Sequence, residues 1–182
     1  MVSSIIRFRL RGANMNLKLA VFGLAMTSLL LLLLPNRVHA QTAFAGNLRG
    51  INQIDLLIEV LSENAKACQI TDALIHDAFM NPANGARFAM KEGQDPFPFM
   101  YFNITTLFDR LNELCVSNIS MHLQVHQDVK LEATGRSVFT TVQLWSGGAM
   151  RISTRDRHGQ AVRDVIETHT KIFIADWNLG NK

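Results

Sequence analysis

The chain has 182 residues, 48% of them hydrophobic and 18% charged, with 4 Pro and 11 Gly. That balance excludes a disordered chain, a collagen-like one and a protein of many membrane spans. The formal charge of +3 is an uneven sum. Residues 1–40 hold five basic side chains (Arg7, Arg9, Arg11, Lys18, Arg37) and no acid, which leaves 13 basic against 15 acidic residues, a net −2, on the rest. The remainder has no basic footprint for nucleic acid.

Leu19 to Leu34 is apolar except for Thr27 and Ser28, with six consecutive leucines, Leu29 to Leu34. Lys18 precedes this run, and Pro35-Asn36-Arg37 breaks it. Val38-His39-Ala40 follows, with small residues where a signal peptidase needs them, so residues 1–40 read as a signal peptide cut between Ala40 and Gln41. Sixteen residues at about 1.5 Å rise span roughly 24 Å, short of a hydrocarbon core of about 30 Å, which favours cleavage over an uncleaved anchor. No Arg-Arg pair precedes the run, so general export is expected rather than the twin-arginine route. Met15-Asn-Leu-Lys is a complete n-region by itself, and the true start could be Met15. Arg7, Arg9 and Arg11 also suit a mitochondrial presequence, but the leucine block is too apolar for one.

The chain's two cysteines, Cys68 and Cys115, both lie beyond the export segment, and an even count after export reads as a disulfide. No Cys-x-x-Cys is present to support a thioredoxin-type role.

Residues 41–50 are polar and small, a flexible leader before a single domain over 51–182. Ile54, Leu56, Ile58 and Val60 alternate with Asp55 and Glu59, the period of a strand. Residues 62–70 read as a connector. Thr71 or Asp72 then caps a helix through Met80, which Asn81-Pro82 stops or kinks. Asn84-Gly85 is a turn, Ala86–Lys91 a further helical turn, and Gly93–Pro98 a loop.

Phe99–Thr105 is aromatic and β-branched, a second strand, and Thr106–Leu114 suggests a helical turn around Phe108 and Leu111. From Cys115 to Leu131 alternation is nearly unbroken, so this is a long strand, too long to run without a bend or an irregular start. Glu132–Arg136 is a turn, and Ser137–Ser146 the partner strand. Gly147-Gly148 closes a second hairpin onto Ala149–Ser153. After a polar loop over 155–159, Val162, Val165, Ile166, His169, Ile172, Phe173 and Trp177 mark a helix from Gln160 to near Gly180. The order β-α-β-β-β-β-α predicts an α+β domain: a mostly antiparallel four- to five-stranded sheet with two helices packed on one face.

On the long strand, Ile119, Met121, Leu123 and Val125 should face the helices, and Asn118, Ser120, His122, Gln124 and His126 should face away. The next strand would turn Val138, Thr140, Val142 and Leu144 inward and Phe139, Thr141, Gln143 and Trp145 outward. Tyr101 and Asn103 join the outward set if Phe102 and Ile104 point in. The candidate binding face is therefore Tyr101, Asn103, His122, Gln124, His126, Phe139, Gln143 and Trp145, with Trp145 as anchor. The competing arrangement has this face covered by the 81–98 segment or by a second copy.

His122 and His126 sit about 13 Å apart on a strand, too far to share one ion alone. His169 reads as a hydrogen-bonded core residue, His76 and Asp77 as helix surface, and His158 as part of a solvated loop. No Gly-x-Ser-x-Gly elbow and no phosphate loop occur. Asn103-Ile-Thr105 and Asn118-Ile-Ser120 match the glycan acceptor pattern, but both fall in strands. No catalytic residue, metal site or cofactor is assigned. The expected function is a non-catalytic binding or interaction module, periplasmic or secreted, working on an envelope protein or as a homodimer. It has no nucleic-acid partner and meets the membrane only through an uncleaved signal segment. The alternatives are a small exported hydrolase using His and Asp/Glu, or a metal-binding accessory protein using His122 and His126.

Overall fold

The structure is a computed structural model that describes residues 46–91 and 98–182. The expected export segment and the 93–97 part of the expected loop lie outside these residues. The described part of the 41–50 stretch is tied down: Leu48 is buried, and the Gly50 N–H donates to Asn181 Oδ1.

The chain folds as β1 (Gln53–Ile58), α1 (Glu63–Ala67), α2 (Asp72–Ala83), β2 (Ala89–Met90), β3 (Phe99–Asp109), β4 (Leu114–Lys130), β5 (Ser137–Thr154) and α3 (Arg155–Gly180). The sheet order is β2-β1-β3-β4-β5. β1 runs parallel to β2 and β3, whereas β3-β4 and β4-β5 are antiparallel. The fold is α+β as expected, but the sheet is mixed rather than mostly antiparallel, and the described residues form three helices rather than two. The parallel part follows from the α1-α2 crossover between β1 and β2, because a parallel return needs a long connection. Its sign in the sequence is faint: β2 has two residues and lies where a helical turn was expected over 86–91.

Local chemistry sets the helix ends. Ser62 accepts from the Ala65 N–H to start α1, within the stretch read as connector. Thr71 accepts from the Leu74 N–H to start α2. Pro82 sits in the last turn of α2, and the helix ends one residue later. α3 starts at Arg155, five residues before its apolar stripe becomes visible, so His158 and Gly159 are helical and buried.

β3 and β5 are longer than expected, while β4 has the expected length, moved by one residue. The 106–114 stretch is the end of β3, a tight turn and the start of β4, with Glu113 at a positive φ of 50°. β4 pairs along its whole length with β5. Gly147-Gly148 does not turn the chain; β5 runs straight through it. Gly147 is small because a Cβ there would lie 2.5 Å from the Trp145 ring. Gly148 is small because a Cβ would lie 2.1 Å from the Ile119 carbonyl oxygen.

All three helices lie on one face, shown by what their side chains touch. Phe79 of α2 stacks edge-on against Phe102, with centroids 5.7 Å apart. Cys68, at the end of α1, is bonded to Cys115 with Cα atoms 6.1 Å apart. Asp176 of α3 accepts from the Trp145 indole N–H at 2.9 Å. Phe102, Cys115 and Trp145 share one face of the sheet with the buried Ile119, Met121 and Leu123. Because Asp176 stands beside Trp145, α3 ends soon after that level. Residues 124–130 and 137–143 continue as a two-stranded ribbon, about 20 Å beyond the helices.

Candidate functional site

The outer face of β3, β4 and β5 carries no buried residue, and no described residue packs over it. Cross-strand pairing builds it in rows: Tyr101 beside His122, Asn103 beside Ser120, and Gln124 between Phe99 and Gln143. Of the expected face, Tyr101, Asn103, His122, Gln124, His126, Phe139 and Gln143 share this side.

Trp145 does not. The sequence reading turned it outward with Phe139, but its side chain is 0% exposed in the core, stacked 5.3 Å from the Phe173 ring. The cause is a register shift. Leu123 pairs with Trp145 and Gln124 with Gln143, so Leu144 is an extra residue in β5. One extra residue swaps the faces of everything beyond it. Gly147, Ala149 and Arg151 therefore follow Trp145 inward, while Met150 and Ile152 turn outward, each 63% exposed.

The face has two distinct regions. At the ribbon end the His126 ring lies between two aromatics, edge-on to Phe99 at 5.2 Å and to Phe139 at 6.1 Å. Phe139 is 67% exposed. Toward β1, Glu59 accepts hydrogen bonds from the Tyr101 hydroxyl and the Asn103 amide. The bond to Glu59 raises the Tyr101 pKa above the ordinary phenol value. Beside it β1 has ended while β3 continues. A cleft of 230 Å³ opens there, lined by Glu59, Ser62, Asn64, Asn103 and Thr105 among others. Burial lowers the His122 pKa by disfavouring its charged form, and its Nδ1 has no hydrogen-bond partner.

Sequence reasoning missed Phe99, Glu59, Met150 and Ile152. Phe99 was legible, being the same phase as Tyr101; the others depend on where β1 ends and on the bulge.

The hydrolase reading has a specific place to stand or fall. His158 Nε2 lies 2.8 Å from Ser117 Oγ, and its Nδ1 lies 2.7 Å from Ser153 Oγ. Ser117 in turn meets Thr106 Oγ1 at 2.8 Å. Thr106, Ser117 and His158 are buried, with His158 at 0% exposure, and only the Ser153 end is partly exposed; there a second hydroxyl stands where a catalytic carboxylate would orient the ring. Burial lowers the His158 pKa. The arrangement satisfies polar groups inside the core; it does not present a nucleophile. His158 is thus a core residue rather than a loop residue. His169 is partly exposed, its Nδ1 without a partner, and burial followed by the nearby Arg151 charge lowers its pKa. Among the described residues, no three His, Cys, Asp or Glu side chains converge to hold a metal. No described helix is long and apolar enough to cross a membrane.

No family model, curated protein or solved structure matches the chain.

Proposed function

We propose that the protein is an exported, non-catalytic binding module whose outer sheet face recognises a partner protein of the cell envelope. The observation that carries this is the one-sided packing. The described helices cover one face of the sheet, and the other presents Phe99, His126 and Phe139 beside polar side chains such as Gln124 and Gln143, with Asp128 opposite Phe139. Aromatic groups beside amides and hydroxyls suit a protein surface, where apolar area and hydrogen bonds are both needed. Export is supported by the leucine-rich leading segment and by the buried Cys68–Cys115 bond, which suits an oxidising compartment.

Two measurements test this. N-terminal sequencing of protein from the envelope or medium should begin at Gln41; an intact leucine block would replace cleavage by an anchor. A photo-crosslinking residue at Phe139 should give one discrete adduct in the host, and the same residue at Lys171, on the exposed side of α3, should give none. Equal labelling from both positions would reduce the face to a solvated surface.

A further inference from the structure

The sheet has a second unusual feature, its β5 edge, separate from the aromatic row. β5 is an outermost strand of 18 residues. Soluble proteins protect long edges with charges or proline. β5 contains one ionisable residue, Arg151, and no proline. Its one register shift is the bulge, where Asn47 donates to the Leu144 carbonyl at 3.5 Å. Beyond the bulge, Ser146–Thr154 keeps an unbroken register with β4 through the positive φ at Gly148, with Met150 and Ile152 exposed on the outer side.

We propose that Ser146–Thr154 pairs antiparallel with the same segment of a second copy, joining two five-stranded sheets across a two-fold axis at Met150. An antiparallel edge is self-complementary under a two-fold axis, which suits a closed dimer. Side chains select the register. With Met150 opposite Met150 of the partner subunit, Ile152 falls opposite Gly148 of the partner subunit, which has no side chain to displace. Arg151 falls opposite Ala149 of the partner subunit, so the two guanidinium groups never face each other. On the outer face Ile152 already borders Val116, which borders Leu107 in turn, so the pairing extends an apolar strip across the axis. The Leu144 carbonyl, already occupied by Asn47, stays outside the paired segment.

The dimensions agree. Nine residues at about 3.4 Å give an edge of about 31 Å. A sheet plus one helix layer is roughly 20 Å thick. The side-on contact is then about 600 Å² per subunit, near the ~800 Å² of a standard interface. The occupant is therefore a second copy of this chain, and the aromatic row at Phe139 remains open in the dimer.

Sedimentation equilibrium of the purified protein across the micromolar range tests this. The expected mass is twice that of the chain. Met150→Lys, which sets two ammonium groups face to face on the axis, should give a monomer with unchanged circular dichroism, because the side chain is exposed. Thr140→Lys, in the ribbon outside the paired segment, should leave the dimer intact. Met150→Cys should form an intersubunit disulfide, giving a dimer band on a non-reducing gel. A monomeric wild type, or a dimer that survives Met150→Lys, overturns the proposal. So does a failure of Met150→Cys to cross-link while the wild type is dimeric. None of these outcomes bears on the partner face, whose test is the crosslink at Phe139.

Discussion

His158 shows how one residue links the core to pH. Its neutral ring bridges Ser117 and Ser153, and burial lowers its pKa below the ordinary imidazole value. The unfolded chain therefore takes up a proton that the folded chain refuses. The stability associated with this group is fully present above about pH 6.5 and is lost as pH falls below it. His122 and His169 are shifted the same way, so they add to the same acid-side loss. Urea unfolding at a series of pH values should show declining stability from pH 7 toward pH 5. The decline should be shallower in His158→Leu. That variant should also lose roughly 2–4 kcal/mol at neutral pH, because it strands hydroxyls that the ring now satisfies. A variant as stable as wild type, with the same pH slope, would remove His158 from this role.

Gly148 is the second residue-scale case. Its φ of +147° is one that side chains rarely adopt, and the Ile119 carbonyl oxygen occupies the place of a Cβ. Gly148→Ala should cost about 3 kcal/mol or more in denaturant melts, because backbone rather than a flexible side chain must move.

At the scale of elements, the bulge at Leu144 decides which side chains the face displays. Removing Leu144 leaves Gln143 opposite Gln124 and Trp145 opposite Leu123, a regular ladder with every other side chain on its present face. Deletion of Leu144 should therefore fold, at a cost within about 2 kcal/mol for its part-buried side chain. In a Trp177→Phe background, the indole emission of Trp145 should stay blue-shifted and insensitive to quencher. A red shift in the deletion variant would mean that the bulge, not the pairing, holds Trp145 inside. α1 depends on tertiary support, since five residues cannot hold a helix in water. Its support is the Cys68–Cys115 bond at its C-terminal end. Cys115→Ser should lower stability by roughly 2–5 kcal/mol and loosen α1 first, visible as faster hydrogen exchange at Ala65 and Lys66.

At the scale of the whole molecule, the described helices pack on one face of the sheet, and no described residue packs on the other face of β3, β4 and β5. α3 runs along β4 and β5 and closes the helical layer against α2, with Trp177 donating from its indole N–H to the Ile51 carbonyl. The 124–130 and 137–143 ribbon extends beyond this layer, and isolated two-stranded ribbons are marginal in water. The Phe99, His126 and Phe139 contacts lie on it and supply part of its cohesion. Phe139→Ser should therefore speed amide exchange in residues 137–143 while leaving the thermal midpoint of the core nearly unchanged.

Much of this molecule is determined by local sequence. The alternation from Cys115 to Leu131 sets the long strand and its inner residues, because a half-buried strand must separate apolar from polar at a period of two. The stripe from Val162 to Trp177 sets the last helix in the same way at a period of 3.6. An even cysteine count beyond a leucine-rich leading segment points to the single disulfide. Seven of the eight residues expected on the binding face follow from the alternation alone. Only the tertiary structure decided the rest. The parallel β2-β1-β3 arrangement rests on a two-residue strand, too short to leave a pattern. His158 enters the core because Ser117 and Ser153, distant or differently placed in sequence, offer it partners across the sheet. Trp145 turns inward because β5 holds one residue more than β4 requires. That excess exists only when two strands are laid side by side, so no reading of β5 by itself contains it.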